Sequence, residues 1–204
     1  MRHLPVARVL KDNKKWIVLS AIIFAIGFFT IFVGQEISGT DPLEDTNREL
    51  LGQLEELVEI ISNSSPIVGV WLIFINNAIS SLQMLALGIF LGLSPLLTLL
   101  VNGALLGALS AQVIQEGSSV WFLVAGILPH GLPELAAVFL CAALGLKIGI
   151  HATISPLPGM TRLESIKYIW KEIMAIIPLV IILLLLAALI EIFVTQTLIF
   201  KLLN

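Results

Sequence analysis

The residues best suited to chemistry stand inside one long apolar run, 120–146. His130 and Glu134 are four residues apart, so one face of a helix would present an imidazole and a carboxylate together. Hydrocarbon cannot hydrate a carboxylate, and an ionisable residue at that depth is by default a hypothesis of a functional site. Such a pair can exchange protons, or it can coordinate a small ion or an anionic headgroup.

Helix-breaking residues surround this pair. Pro129 and Pro133 each remove a backbone donor, and Gly131 between them loosens the chain. We therefore expect a helix break at these three residues, either as a kinked helix or as two half-helices that form a re-entrant pair. Transporters often hold their substrate at the membrane midplane beside a broken helix of this kind.

Three asparagines stand in other apolar segments at a similar depth. At about 1.5 Å per residue, Asn76 is roughly 15 Å and Asn102 roughly 10 Å into its span. We therefore predict a polar midplane site comprising Glu134, His130, Asn76, Asn77 and Asn102. The alternative is structural: asparagines that hydrogen-bond between helices, and a protonated Glu134.

The composition identifies lipid as the solvent of this chain. Apolar residues make up 58% and charged residues 12% of the 204 positions, and the mean hydropathy is +1.03. A soluble fold of this size cannot bury so much apolar side chain. We predict a single all-α membrane domain, 1–204, a helical bundle of about five transmembrane helices. The predicted spans are 16–34, 67–91, 95–115, 120–146 (broken or re-entrant) and 173–193.

Small residues and turn signals predict how the spans are joined. Leu93-Ser94-Pro95 reads as a tight turn between the second and third spans. The segment 161–164 has the pattern of a capping box, so a helix should start there and run into the last span. Glu191 is close to the end of that span, and we expect it at the membrane interface. The glycines predicted to pack helices together, at small-xxx-small spacing, are Gly88, Gly92, Gly103 and Gly107.

The distribution of charge predicts the orientation. Nine of the eleven lysine and arginine residues lie in 1–15 and 147–171, which places both segments and the N-terminus in the cytoplasm. The C-terminus and the acidic segment 35–65 then lie outside the cell membrane. That segment carries a second capping-box pattern at 46–49, followed by an amphipathic helix. This helix would cap the bundle or lie at headgroup level; the alternative is a docking surface for a membrane or extracytoplasmic protein partner.

These motifs resemble those of the stage II sporulation protein M family of polytopic membrane proteins. The resemblance covers roughly 16–195, with its specificity concentrated in 74–146. One position departs from the family pattern, because Ala136 stands where a proline usually follows the glutamate. The motifs that carry the resemblance are Asn76-Asn77, Gly88 to Pro95, Asn102-Gly103 with Gly107, and Pro129-His130-Gly131 with Glu134.

The resemblance implies a membrane fold and a membrane location. In spore-forming bacteria the founding member of the family acts with cell-wall hydrolases during engulfment, as an anchor in a membrane complex. Many relatives belong to organisms that form no spores. The resemblance therefore implies fold and location more strongly than a role in sporulation.

Two functions remain open from the sequence. The first is a transporter-like role for an ion, a proton or a lipid headgroup at the midplane site. The second is a non-catalytic scaffold that assembles with itself or with partner proteins. We expect membrane lipid and a homo-oligomer as partners and no nucleic acid, because no nucleic-acid signature is present.

Neither an enzyme nor a cofactor is expected. The chain has no P-loop, no Gly-x-Ser-x-Gly and no His-Glu-x-x-His pattern. Only two strong metal ligands, His130 and Glu134, are visible together, so no metal site is predicted. The single cysteine, Cys141, cannot form a zinc cluster and is interpreted as a packing residue.

Overall fold

The computed structural model describes residues 4–38, 52, 60–61, 63–117, 119–195 and 197–198. Most of the predicted acidic loop, including its capping box at 46–49 and the helix after it, lies outside the described residues. Within them the chain is all-helical. The helices are α1 (Val6–Asp12), α2 (Lys14–Ser38), α3 (Pro66–Leu87), α4 (Leu93–Gln115), α5 (Val120–Thr153) and α6 (Arg162–Ile190), which continues as a π-helical turn, Glu191–Thr195.

Five of these helices, α2 to α6, are long and apolar enough to cross a membrane. The prediction of an all-α fold with five spans is therefore confirmed. The capping box at the start of α6 also forms. The Thr161 backbone N–H donates to Glu164 Oε2 at 2.8 Å, and the Glu164 N–H donates to Thr161 Oγ1 at 3.3 Å. These two bonds occupy donors that a helix start leaves without intrahelical partners.

The fourth span is one continuous helix, so the predicted re-entrant pair of half-helices is wrong, while the alternative of a kinked helix stays a prediction. Pro129, Gly131 and Pro133 all lie inside α5, and a re-entrant pair is not formed. Each proline removes only one backbone hydrogen bond, and the two prolines are one turn apart on one side of the helix. The turns before and after them keep their own bonds, which holds the segment helical within the packed bundle.

The turn between the second and third spans lies at 88–92, and the prediction of a turn at Leu93-Ser94-Pro95 is wrong. Leu91 and Gly92 have φ angles of 57° and 72°, the left-handed conformation that reverses the chain after α3. Pro95 instead falls in the first turn of α4. Its missing N–H costs nothing there, since the first N–H groups of a helix have no intrahelical partner.

The chain divides into two compact units, each with segments from several helices. The first unit contains the buried ion pair described below, and the second contains His130, Glu191 and Thr195. The first unit comprises Met1–Ile23, Asn77–Leu99 and Glu134–Leu184; the second comprises Phe24–Asn76, Leu100–Pro133 and Leu185–Asn204.

In the first unit, α5 passes directly over the turn that follows α3. A Cβ atom on Gly88 would lie 2.6 Å from the Gly145 carbonyl oxygen, and one on Gly149 would overlap the backbone nitrogen of Gly92. The backbones approach this closely because glycine has no side chain. Cys141, also on α5, is fully buried, in keeping with its interpretation as a packing residue.

Replacing Gly149 with alanine is expected to destabilise the protein by about 1–3 kcal/mol. The added methyl group would clash with the backbone of Gly88 and Gly92, and no side-chain rotation can relieve a clash with backbone atoms. Gly131 on the same helix is the matched control. An added Cβ there meets only the end of the Ile127 side chain, at 3.5 Å. Gly131→Ala should therefore leave the melting temperature in detergent unchanged or raise it slightly, and equal losses in both variants would contradict this packing.

In the second unit, α2 and α4 cross at close range. A Cβ atom on Gly103 would overlap the carbonyl oxygen of Phe24, and one on Gly107 would overlap that of Phe28. Gly27 approaches the α4 backbone in the same way. The predicted packing glycines of the third span thus lie where two helix backbones meet, with no room for a larger side chain.

In the second unit, buried apolar packing holds the end of the last span in place. Val70 and Ile73 of α3 form a buried cluster with Ala188 and Ile192. Ile192 belongs to the π-helical turn Glu191–Thr195. This cluster therefore positions the turn that carries the polar residues of the site.

Candidate functional site

His130 lies on α5, in the second unit, beside the π-helical turn that ends the last span. Its Nδ1 atom is 3.1 Å from Thr195 Oγ1, a hydrogen-bond distance. Thr195 is only 4% exposed, whereas His130 is half-buried. A buried hydroxyl on an anchored turn thus fixes the orientation of an imidazole on another helix.

Glu191 is the second polar group beside His130. A carboxylate oxygen of Glu191 lies within 4.8 Å of a ring nitrogen of His130. The predicted site does not include Glu191, and its expected position at the membrane interface stays a prediction. The last helix continues past Ile190 through a π-helical turn to Thr195. A π-helical turn contains one extra residue and redirects its side chains, and such turns are frequent at functional sites.

Glu134 stands one turn from His130 on the same continuous helix, α5. The four-residue spacing puts the two side chains on one face, and their ligand atoms lie within 4.8 Å of each other. His130 therefore has carboxylate neighbours from its own helix and from the turn that ends the last span. Two carboxylates and an imidazole form a set that attracts cations.

The three asparagines of the predicted site lie on α3 and α4. Asn76 and Asn102 have exposed side chains, and Asn77 is half-buried. Each of the three takes part in a polar interaction. Their contact with His130 stays a prediction.

The first unit holds a buried ion pair that the sequence analysis did not predict. Lys147 Nζ lies 2.6 Å from Glu172 Oε2 and donates to Asn13 Oδ1 at 2.8 Å, while Asn13 Nδ2 donates to Glu172 Oε1 at 2.9 Å. Lys147 is 5%, Glu172 1% and Asn13 1% exposed. The sequence places Lys147 at the start of the predicted cytoplasmic segment 147–171, but α5 continues to Thr153 and Lys147 is buried in the protein interior. The triad joins the α1–α2 junction to α5 and α6.

A sequence signal for both unpredicted groups exists. Glu191 stands between Ile190 and Ile192, and Lys147 stands between Leu146 and Ile148. A single charge with apolar neighbours on both sides is costly in a membrane and calls for a partner. Sequence alone does not name that partner, because it lies far away along the chain: Lys147 and Glu172 are 25 residues apart.

Comparison with known proteins identifies relatives over almost the whole chain. The family model described as stage II sporulation protein M matches residues 17–196. An uncharacterized protein of Methanocaldococcus jannaschii is 28% identical over 179 residues, which cover 88% of this chain and 93% of that relative. No solved structure matches the chain.

Proposed function

The chain belongs to the stage II sporulation protein M family of integral membrane proteins, and we propose that it carries a small cation across the membrane through the site around His130. One observation supports this function. The His130 imidazole, the Glu191 carboxylate and the Thr195 hydroxyl come together in apolar stretches of two helices, 120–146 and 173–195. An ionised carboxylate at the centre of a membrane helix costs about 2.5–3.5 kcal/mol, so a functional role is the default explanation.

The charge of the site favours a cation over a lipid headgroup. Glu134 and Glu191 both offer carboxylate oxygens beside His130. Anionic phosphate would be repelled by two carboxylates at this range, whereas a proton or a metal cation would neutralise them. We place transport ahead of catalysis because the site offers cation ligands and proton acceptors on helices that can cross a membrane.

The distribution of basic residues supports an orientation for this transport. Nine of the eleven lysine and arginine residues lie in the segments 1–15 and 147–171, and the other two are Arg48 and Lys201. Positive residues accumulate on the cytoplasmic side of membrane proteins. The N-terminus is therefore assigned to the cytoplasm and the C-terminus to the outer side of the cell membrane.

Replacing Glu134 with glutamine is expected to lower cation flux at least about tenfold, since the variant keeps the shape of the side chain and loses its charge. The measurement uses proteoliposomes with the purified full chain, an internal pH dye and an internal Mn²⁺-sensitive dye. Glu116→Gln is the matched control, because Glu116 is an exposed carboxylate outside the site. Wild-type flux of protons and Mn²⁺ no greater than that of empty liposomes would refute the transport function.

An assembly scaffold is the second candidate, favoured by one observation. Asn76 and Asn102 are exposed on helices that can cross a membrane, where polar side chains are usually covered by another helix. A second copy of the chain would cover them, and the acidic segment 35–65 would serve protein partners outside the membrane. A scaffold would form stable oligomers and assemble equally well with Glu134→Gln.

A further inference from the structure

We propose that His130, Glu134 and Glu191 bind a divalent transition-metal ion such as Zn²⁺ or Mn²⁺. This inference rests on the proposed function, since it names the class of cation that the site takes. Its starting point is that His130 offers a ring nitrogen within 4.8 Å of a carboxylate oxygen of each glutamate. One nitrogen and two oxygens from three side chains are the ligands of many zinc and manganese centres.

The ligand types select the metal class. Imidazole nitrogen suits zinc, iron, cobalt and nickel, whereas Ca²⁺ and Mg²⁺ prefer sites built from oxygen alone. The carboxylates of Glu134 and Glu191 extend the range to Mn²⁺. We therefore expect Zn²⁺, Co²⁺ and Mn²⁺ to bind and Mg²⁺ to compete poorly.

The spacing of the ligands fits a site that tightens on binding. In a tetrahedral zinc site with ligand distances near 2.1 Å, two ligand atoms are about 3.4 Å apart. The ligand atoms of His130 start within 4.8 Å of those of the glutamates, so a side-chain movement of about 1 Å would close the site. All three side chains are half-buried, which leaves room for that movement.

Thr195 can support the tautomer that the metal needs, because its hydroxyl is able to accept a hydrogen bond from the imidazole. When the imidazole donates its Nδ1–H to Thr195 Oγ1, the Nε2 atom carries the free lone pair and can bind a cation. Thr195 is buried on the turn that Ile192 anchors, so this hydrogen bond holds the ring in one orientation. Thr195 is therefore a positioning residue that acts through His130.

Charge balance favours a divalent ion at membrane depth. A 2+ ion with the carboxylates of Glu134 and Glu191 and a neutral His130 forms a neutral assembly. Burying that assembly in a low dielectric costs far less than burying two ionised carboxylates. A monovalent metal ion would leave one negative charge without compensation.

The test is a metal titration of the purified full chain in detergent, by calorimetry with Zn²⁺ and by the visible absorption of Co²⁺. We expect one site per chain, and a loss of affinity greater than about 100-fold in Glu191→Gln and in His130→Ala. His151→Ala is the matched control, because His151 bonds the Ser155 carbonyl oxygen within its own segment. It should bind Zn²⁺ as the wild type does.

The positioning role of Thr195 is tested in the same titration. Thr195→Val keeps the side-chain shape and should weaken Zn²⁺ binding about 10- to 100-fold, the usual effect of losing a hydrogen bond to a metal-bound histidine. Thr195→Ser restores the hydroxyl and should restore affinity. A purely structural Thr195 would show the same affinity in the valine and serine variants.

The outcomes separate this inference from the proposed function. Equal Zn²⁺ affinity in the wild type, Glu191→Gln and His130→Ala, with unchanged melting temperatures, would overturn the metal site. A protein that carries protons in liposomes and binds no Zn²⁺, Co²⁺ or Mn²⁺ would also overturn it and leave the transport function standing. Metal binding that depends on His130 and Glu191 supports the site, even where no flux is found and transport fails.

Discussion

Replacing Lys147 with methionine is expected to lower the free energy of unfolding by about 3–5 kcal/mol. The variant leaves the Glu172 carboxylate buried without its ion-pair partner, since Glu172 is 1% exposed and its remaining bond comes from Asn13 Nδ2. Asn13 Oδ1 would also lose the donor that Lys147 supplies. The melting temperature and the chemical-denaturation midpoint in detergent measure the loss.

Recovery in a double variant separates the loss of a partner from a loss of packing. Lys147→Met combined with Glu172→Leu removes both charges, so most of the lost stability should return. Recovery should be incomplete, because Asn13 keeps a buried oxygen without a donor. Lys171→Met is the matched control, an exposed lysine next to Glu172, and should cost almost nothing. A loss in the double variant as large as the sum of both single losses would contradict the pairing.

Cation flux in proteoliposomes should fall to the level of empty liposomes in both Glu191→Gln and His130→Ala. The two residues offer ligand atoms to one site, so removing either leaves the cation with incomplete coordination in a low dielectric. Residues that act as one unit have non-additive effects on rate. The double variant should therefore be no slower than either single variant.

The same liposome assay can also give a result that contradicts a shared site. Partial losses that multiply in the double variant would indicate that Glu191 and His130 act independently. The melting temperature of each variant is the control for folding. Neither side chain belongs to the packed cluster around Val70 and Ile73, so we expect both variants to fold.

The number of spans followed from the sequence because hydropathy is a local property. Each of α2 to α6 is apolar over enough residues to cross a membrane, whatever it packs against. The start of α6 followed from Thr161 and Glu164, whose reciprocal bonds depend only on four consecutive residues. Features of this kind need no knowledge of distant contacts.

The fourth span shows where local rules are insufficient. Two prolines and a glycine within five residues make a re-entrant pair of half-helices conceivable, yet α5 is continuous through Pro129 and Pro133. The helix-breaking effect of proline is measured against water, which can hydrogen-bond the freed carbonyl groups of an opened helix. In a bilayer an opened backbone has no such partner, so the helix with two missing bonds is the lower-energy state.

Only half of the site could be predicted from the sequence, because its other residues lie far from His130 along the chain. His130 and Glu134 are one turn apart, so their spacing indicated a shared face. Glu191 and Thr195 join His130 only because the last span packs through Ile192 on α3 and continues as a π-helical turn. No local pattern specifies that packing, and the same holds for the pairing of Lys147 with Glu172.

X-ray absorption of the Zn²⁺-loaded full chain tests most directly whether this polar cluster is a cation site. We expect a first shell of nitrogen and oxygen atoms at about 2.0–2.1 Å, with the scattering pattern of one imidazole that disappears in His130→Ala. The oxygen contribution should fall in Glu191→Gln. A wild-type spectrum without an imidazole, or one unchanged by His130→Ala, would show that Zn²⁺ binds elsewhere and would contradict the site.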